Sequence, residues 1–442
     1  MRELKRKFYD RLLGWRAQKR HECLLVKGAR QVGKTFIIEK FGREQYESFI
    51  EINFVLDPEA ADLFEGSLQA EDLYRRISAY DAMHPLVPGK TLIFLDEIQE
   101  CVNARTALKS LAIDDRYDVI ASGSLLGIKY KNKRSRERHE PKSIPVGYER
   151  QMVMHSLDFE EFLWAKGVGA EGIAALRGYF DRREAVPEAI NRRYQEMLRE
   201  YMVVGGMPAV VNAYLEQGDF GPVQAEQEKI LRSYLDDIHK YADRTDVPKI
   251  ENCYRAIPRV LAKDNRKFKF SEVEQGGSER KYGGSVEWLR DSALAPMAEN
   301  VTVPEIPLNA HVREGWFKLY VSDIGLLSSL YGLETKRLLY AGKLIGAAKG
   351  GLFENLIAGI LERKGFPLYY YKTLDGSREV EFVIERDGGP VPLEVKARNG
   401  ATVSLNDFLS KETVPYGYKF VDGNVGVNGK KITLPHYMAM FL

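Results

Sequence analysis

One eight-residue segment limits what this chain can fold into more than any other feature. Its residues are Gly28, Ala29, Arg30, Gln31, Val32, Gly33, Lys34 and Thr35. The segment follows the apolar stretch 24–26 and opens a helical pattern that begins near Thr35. In this context glycines let consecutive backbone N–H groups surround phosphate oxygens, while Lys34 reaches the β- and γ-phosphates and Thr35 binds Mg²⁺. We therefore predict a P-loop that binds ATP with Mg²⁺ as cofactor.

A second segment indicates the same chemistry. Residues 92–95 are apolar and are followed by Asp96 and Glu97, as in a buried strand whose carboxyl end reaches a metal ion. We expect Asp96 to hold Mg²⁺ through water and Glu97 to act as general base on the attacking water. The alternative explanation for the two acids is an ordinary helix N-cap after a strand.

The next apolar segment, 119–121, is followed by two serines. Ser122 or Ser124 could donate a hydrogen bond to the γ-phosphate or the attacking water, or the two could form a simple turn. The predicted catalytic residues are Lys34, Glu97 and Ser124. An arginine finger, which would imply a homo-oligomer, has three candidates. They are Arg105, Arg116 and Arg150.

Short apolar segments alternate with helical patterns over residues 1–165, the predicted P-loop ATPase core. The segments are 23–26, 49–52, 92–95, 119–121 and 152–154. This alternation is typical of an α/β fold whose parallel sheet is buried on both faces. Residues 166–245 are rich in Ala, Leu, Arg and Glu and are interrupted at 205–208, which predicts a helical lid subdomain with one sharp turn.

The rest of the 442-residue chain predicts two smaller domains. Residues 246–335 contain short helical patterns and then a β-like stretch, which is compatible with a winged helix-turn-helix or with a protein-packing module. Residues 336–442 begin with a helix and continue as strands, which indicates a second α/β domain.

Composition narrows the environment that we expect. The net charge of +2 at pH 7 does not by itself predict a polyanionic partner. The three cysteines are far apart and form no CxxC pair, which favours a reducing cytoplasm over a disulfide framework. We see neither a secretory leader nor a run of about 18 apolar residues, so we expect a soluble cytoplasmic protein without a membrane partner.

Several strings resemble those of a known group of proteins. They are GARQVGKT at 28–35, IFLDEIQE at 93–100, ASGSLLG at 121–127, LDFEEFL at 157–163, VVGGMP at 203–208, FKLYVSDIGLL at 317–327, GLFENLIAGIL at 351–361 and LPHYM at 434–438. The chain resembles the bacterial and archaeal AAA-type P-loop ATPases that carry an uncharacterised C-terminal domain of the restriction-nuclease type. The resemblance implies an AAA-type parallel sheet with a helical lid, a winged helix-turn-helix and a C-terminal restriction-endonuclease-like α/β domain.

Four residues resemble a restriction-nuclease site. They are Glu354 on a helix, Glu381 in a strand, and Glu394 and Lys396 in the next strand. In such a site carboxylates hold Mg²⁺ and the lysine stabilises charge at the scissile phosphate. The strand acid of this group is typically aspartate, and the longer Glu381 shifts its carboxylate. The alternatives are an active nuclease, a buried ion-pair network and a DNA-holding remnant.

DNA is the partner that we expect, through two basic stretches. Residues 129–138, and residues 266–269 together with 280–282, could contact phosphates or could be solvated surfaces. The sequence thus predicts an ATPase that couples nucleotide state to a DNA-interacting, nuclease-like module. The alternatives are a regulatory or signalling switch that acts on a protein partner, and an ATP-gated, metal-dependent nuclease.

Overall fold

The computed structural model describes residues 2–18, 22–124, 147–397, 400 and 402–442. Contacts divide the chain into two compact units, which are described separately. The smaller unit comprises Arg6–His155 and Asp236–Asp243; the larger comprises Met1–Lys5, Ser156–Leu235 and Arg244–Leu442. Within the described ranges, no helix is both long and apolar enough to cross a bilayer.

The smaller unit is built on a parallel sheet. Its described strands are β1 (Cys23–Gly28), β2 (Ser48–Asn53), β3 (Thr91–Asp96), β4 (Asp118–Ser124) and β5 (Glu149–Val153). They lie in the order β2-β3-β4-β1-β5, and neighbouring strands pair in parallel. Every residue of β3 is buried, as expected for a strand covered on both faces. The predicted α/β core with a parallel sheet is confirmed.

Register brings the predicted site residues to one edge of this sheet. Asn53 pairs with Asp96 at the carboxyl ends of β2 and β3, and Gly28 pairs with Ser124 at those of β1 and β4. The described helices of the unit are α1 (Lys7–Ala17), α2 (Lys34–Gln45), α3 (Ala70–Tyr80) and α4 (Val102–Asp114). Because α2 begins at Lys34, its N terminus lies next to the end of β1.

The larger unit begins with a run of helices. These are α5 (Phe159–Ala165), α6 (Ala170–Arg182), α7 (Glu188–Val204), α8 (Pro208–Gln217), α9 (Phe220–Tyr241), α10 (Val247–Leu261) and α11 (Glu279–Asp291). The predicted sharp turn joins α7 to α8, where Gly205 has a φ of +77°. A Cβ at Gly206 would lie 1.9 Å from the carbonyl oxygen of Leu157, so this close approach requires glycine.

The structure divides the predicted lid, 166–245, differently. Most of it belongs to the same unit as the C-terminal residues, and within that unit Asp323 accepts a hydrogen bond from the backbone N–H of Gly206 at 2.9 Å. Only Asp236–Asp243, including the last residues of α9, belongs to the P-loop unit.

An eight-stranded mixed sheet forms the rest of the larger unit. Its strands are β6 (Met297–Val301), β7 (Val312–Leu319), β8 (Tyr369–Lys372), β9 (Glu379–Arg386), β10 (Gly389–Val395), β11 (Gly417–Val421), β12 (Gly426–Asn428) and β13 (Lys431–Pro435). They lie in the order β12-β13-β11-β10-β9-β8-β6-β7. The accompanying helices are α12 (Ile324–Leu330), α13 (Leu333–Tyr340), α14 (Ala347–Arg363) and α15 (Val403–Leu409).

This sheet crosses the boundary that we predicted between residues 335 and 336. The hairpin of β6 and β7 lies in the segment predicted as a winged helix, yet β6 pairs in parallel with β8 of the predicted nuclease-like domain. The backbone groups of β6 thus have hydrogen-bond partners on both sides, as buried strands require. The two predicted domains share one sheet, so the hairpin is not a separate wing.

Candidate active site

The predicted P-loop is a tight turn between β1 and α2. Gln31 and Gly33 have φ angles of +67° and +93°, in the left-handed region that favours glycine. A Cβ at Gly28 would lie 2.3 Å from the carbonyl oxygen of Met154, so the end of β1 requires glycine as well. The turn leads directly into the N terminus of α2, where backbone N–H groups favour an anion.

Lys34 is buried inside this turn. Its side chain is 7% exposed, and its Nζ donates to the carbonyl oxygens of Gly28 and Ala29, both at 3.1 Å. Burial lowers the pKa of Lys34, while the nearby Glu97 and Asp96 oppose that shift. Two backbone carbonyls of the described chain therefore hold the ammonium group within the loop.

The carboxylate of Asp96 is the centre of the site. It accepts hydrogen bonds from Thr35 Oγ1 and Asn53 Nδ2, each at 2.9 Å, and from the hydroxyl of Ser122. Asp96 is 1% exposed, and all three of its donors are neutral groups. The structure thus joins the two predicted metal ligands, Thr35 and Asp96, through oxygen atoms of the kind that Mg²⁺ prefers.

This pair of residues fits Mg²⁺ only together with a nucleotide. Among the residues that the structure describes, no group of three His, Cys, Asp or Glu side chains is placed to hold a metal ion. Mg²⁺ usually takes one or two protein oxygens and completes its shell with substrate phosphates and water. The donor set at Thr35 and Asp96 has that composition.

Glu97 follows Asp96 at the end of β3. It adopts a left-handed backbone conformation with a φ of +53°, and its carboxylate accepts a hydrogen bond from the Gln99 amide. Of the two candidate serines, Ser122 bonds to Asp96, whereas Ser124 pairs with Gly28 in the sheet register. The catalytic role of Ser124 stays a prediction.

Three residues of this site were not predicted from the sequence. Asn53 and Gln99 orient the two acids, and Asp237 forms an ion pair with Arg30 of the P-loop, with Nη1 and Oδ1 2.6 Å apart. A polar residue at the end of β2 was a usable signal for Asn53, because carboxyl ends of parallel strands share one edge. Asp237 lies 207 residues from Arg30 and offers no such signal.

The arginine-finger candidates all have partners within the chain. Arg105 pairs with Glu149 at 3.2 Å, Arg116 pairs with Glu71 at 2.6 Å, and Arg150 donates to the side chain of Gln18. No arginine finger is assigned from these contacts, and a homo-oligomer stays a prediction.

The C-terminal acids lie in a different environment, with Glu354 at its centre. Glu354, on α14, is 1% exposed and accepts from Arg266 Nη1, Lys318 Nζ and the Tyr320 hydroxyl, each at 2.8 Å. Burial raises the pKa of Glu354, but Lys318 and then Arg266 outweigh burial and hold that pKa below its ordinary value. Cations thus neutralise Glu354, in contrast to the neutral donors around Asp96.

The other predicted nuclease residues lie close together. Lys396 Nζ is 2.9 Å from Glu394 Oε1 and 3.3 Å from Glu381 Oε1. Burial raises the pKa of Glu381 to about 7, and the charge of Glu354 acts on it in the same direction. All four predicted residues therefore belong to one cluster.

Glu379, at the start of β9, extends this cluster to Lys372 of β8. Its carboxylate lies 2.8 Å from Lys318 Nζ and 2.7 Å from Lys372 Nζ. We call the set the charge network; its members are Arg266, Lys318, Glu354, Lys372, Glu379, Glu381, Glu394 and Lys396. Its four acids are matched by four cations, which is the pattern of the predicted buried ion-pair alternative.

The structure changes the list of basic candidates for DNA contact. Residues 129–138 lie outside the described residues. Arg266 is engaged in the charge network, and Lys281 forms an ion pair with Glu274. Lys267 forms no ion pair with a described residue and therefore stays a candidate for DNA contact. Its Nζ lies 3.2 Å from the ring centre of Trp316.

Comparison with protein families assigns three segments. An AAA domain matches residues 20–163, a domain of unknown function (DUF8612) matches residues 195–337, and a second domain of unknown function (DUF4143) matches residues 349–436. An uncharacterized protein of Mycobacterium bovis and one of Mycobacterium tuberculosis are each 30% identical over 87 residues. That match covers 20% of this chain and spans 19% of the length of each relative.

Two solved structures illustrate a distant similarity. The Walker-type ATPase of Pyrococcus abyssi has a TM-score of 0.45 and 15% identity, covering 74% of this chain and 96% of that chain. AMPPCP-bound DnaA from Aquifex aeolicus has a TM-score of 0.30 and 10% identity, covering 65% and 90%. The family match and the geometry of the P-loop, rather than these similarities, support an AAA domain with a P-loop at residues 20–163.

Proposed function

We propose that this protein hydrolyses ATP with Mg²⁺ in its smaller unit and binds DNA with its larger unit. The observation that carries the first half is the convergence of Thr35, Asn53 and Ser122 on the Asp96 carboxylate, in the same site as the buried Lys34. Among the residues that the structure describes, no cation lies within hydrogen-bond distance of the Asp96 carboxylate to compensate its charge. A divalent cation and a triphosphate together supply the charges that balance Asp96 and Lys34.

Each residue has a chemical task in this proposal. Lys34 exchanges its carbonyl partners for oxygens of the β- and γ-phosphates. Thr35 and Asp96 would hold Mg²⁺, which supplies positive charge to the phosphates. Glu97, oriented by Gln99, accepts a proton from the water that attacks the γ-phosphate.

Two substitutions test this assignment. Lys34→Ala should weaken ATP binding, because it removes the buried ammonium, whereas Glu97→Gln should bind ATP and release phosphate at least 100-fold more slowly. Glu47→Gln changes an exposed glutamate of the same unit and should match the wild type. ATP binding is measured by titration and hydrolysis by phosphate release. Undiminished hydrolysis in both site variants would contradict the proposal.

A cluster of cations around Trp316 supports the DNA partner. Arg313 lies 3.7 Å from the ring centre of Trp316, and Lys267 lies 3.2 Å from it. Burial lowers the pKa of Lys267 to about 8, and the charges of Arg313, Lys269 and Lys372 add to that shift. In the described part of the chain, no carboxylate pairs with Lys267, Lys269 or Arg313. Such uncompensated charge favours a polyanion.

Electrophoretic mobility shifts test this partner. The triple variant K267A/K269A/R313A should bind duplex or single-stranded DNA at least tenfold more weakly than the wild type, with a smaller dependence on salt. Lys229→Ala removes an exposed lysine that is paired with Glu226 and serves as the control. If the wild type binds no form of DNA at low salt, the regulatory switch on a protein partner becomes the better hypothesis.

The charge network argues against the cutting of DNA by this protein. Arg266, Lys318 and Lys396 already neutralise the carboxylates that a nuclease would use for its metal. Incubation of supercoiled DNA with the protein, ATP and either Mg²⁺ or Mn²⁺ should give no nicked product. Nicking that disappears in Lys396→Ala would instead support the ATP-gated nuclease.

A further inference from the structure

The smaller unit contains a buried acid that ATP hydrolysis as proposed does not use. Asp237, near the end of α9, is 3% exposed and forms the ion pair with Arg30, whose side chain is 50% exposed. Lys240, one turn further on, pairs with Glu100 at 3.0 Å. Two ion pairs thus attach the last turn of α9 to the P-loop and to the segment that follows β3.

Asp237 also acts on the residues at the phosphate end of the site. Burial is the main cause that raises the pKa of Asp237, and Glu97 is among the charges that raise it further. Asp237 in turn is one of the anions that oppose the lowering of the Lys34 pKa by burial. In the proposed reaction Lys34 binds the β- and γ-phosphates, and Glu97 accepts a proton from the attacking water. The ion pair with Arg30 thus places the Asp237 carboxylate at the P-loop, within electrostatic range of the two residues proposed to act at the γ-phosphate.

We infer that Asp237 occupies the position on Arg30 that the γ-phosphate of ATP would take. When ATP binds, its γ-phosphate pairs with Arg30, the ion pair with Asp237 breaks, and the last turn of α9 is released. Two anions compete for one guanidinium, and the phosphate also repels the carboxylate. ADP lacks the competing phosphate and leaves the pair intact. The site would therefore distinguish ATP from ADP through Asp237. This inference rests on ATP being the ligand proposed above.

The position of Asp237 gives this competition a consequence. Helix α9 is continuous from Phe220 to Tyr241, and its residues up to Leu235 belong to the larger unit. Release of the last turn therefore changes the end of a helix that begins in the larger unit. The ion pair links the nucleotide state to that unit along a single element.

Binding titrations with ATP and ADP test the competition. Asp237→Asn should bind ATP about tenfold more tightly and change ADP affinity less than threefold, because only the terminal phosphate competes with the lost charge. Asp237→Glu retains the charge and should stay close to the wild type. Asp236→Asn removes the neighbouring exposed acid and is the matched control. Thermal unfolding establishes that each variant is folded.

Hydrogen exchange of the wild-type protein gives a second readout that needs no variant. A non-hydrolysable ATP analogue with Mg²⁺ should speed exchange in residues 236–243 several-fold, and ADP should not. Weaker or unchanged ATP binding by Asp237→Asn, or unchanged exchange with the analogue, would overturn the inference.

The same measurements separate this inference from the proposed function. If the wild type binds ATP without hydrolysing it, the proposed reaction fails while the competition is still measured. If only Asp237→Asn binds ATP, the competition is supported in its strongest form. If neither protein binds ATP, both ideas fall.

Discussion

The two clusters of acids in this chain differ in what surrounds them. Within the described ranges, the hydrogen-bond donors to Asp96 of the P-loop unit are neutral and come from Thr35, Asn53 and Ser122. Glu354 of the larger unit receives a guanidinium, an ammonium and a phenol at equal distances of 2.8 Å. Neutral donors orient a carboxylate and leave its charge for a metal ion, whereas cations cancel that charge. Burial and strand-end position are therefore insufficient to identify a metal site; the charge of the partners decides.

The strongest way to break this comparison is to neutralise one acid of each cluster and measure hydrolysis. Asp96→Asn should lower ATP hydrolysis at least 100-fold, because it removes the negative charge that we propose holds Mg²⁺. Glu394→Gln should leave hydrolysis unchanged, because Glu394 is balanced by Lys396 in the other unit. Phosphate release at saturating ATP is the measurement. Equal losses in the two variants would show that the charge network takes part in the reaction.

For the free energy of unfolding, we expect the larger effect from the charge network instead. Glu354→Gln keeps the shape of the side chain but leaves Arg266 and Lys318 without their shared counter-charge, so the larger unit should lose about 3 kcal/mol of free energy of unfolding. Urea unfolding followed by hydrogen exchange in α14 measures this loss. Glu314→Gln, an exposed position on β7, is the control and should change little.

A metal ion offers a further check on the charge network. If Glu354 were a metal ligand, Mg²⁺ or Mn²⁺ should raise the unfolding free energy of the wild-type larger unit, because ligands that bind only the folded state stabilise it. We expect no such rise. A stabilisation that Glu354→Gln abolishes would contradict the assignment of this cluster as an ion-pair network.

The charge network should also make the free energy of unfolding depend on pH, through the titration of Glu381. Burial raises its pKa from 4.5 to about 7, so between these pH values the folded state binds the proton more tightly than the unfolded state. The free energy of unfolding that this tighter proton binding contributes is fully present below pH 4.5 and is lost as pH rises through 7. The change amounts to about 3 kcal/mol. Glu379, with its pKa lowered to about 2, acts oppositely, since its contribution is lost only as pH falls below about 4.5.

Comparison of wild type with Glu381→Gln isolates this titration. The variant cannot ionise, so its urea-unfolding free energy should fall less between pH 5 and pH 8 than that of the wild type. The comparison is needed because Glu51 of the smaller unit also has a pKa raised to about 7, mainly by burial. Parallel pH curves for the two proteins would show that Glu381 is ionised throughout.

The sequence predicted more of the residues that meet at the candidate ATPase site than of those in the charge network, for a physical reason. Residues 28–35 and Asp96 are recognisable because the P-loop is contiguous and parallel strands gather their carboxyl ends at one edge. The cations that neutralise Glu354 come from Arg266 and Lys318, in a segment predicted to be a separate winged helix. Their role depends on β6 pairing with β8, a long-range contact that no local pattern encodes. The pairing of Arg30 with Asp237 was inaccessible for the same reason.

The smallest expected effect concerns the neutral donors that distinguish Asp96 from Glu354. Asn53→Ala removes one hydrogen bond to Asp96, and loss of a residue that orients a metal ligand typically weakens metal binding by about tenfold. The Mg²⁺ concentration for half-maximal hydrolysis should therefore rise about tenfold, while the rate at saturating Mg²⁺ changes less. Asn103→Ala, which removes a surface hydrogen bond to Glu65 in the same unit, should leave both unchanged. A fall in the saturated rate with no change in Mg²⁺ dependence would instead assign Asn53 to the reacting phosphate, and orientation by neutral donors would no longer explain the difference between the two clusters.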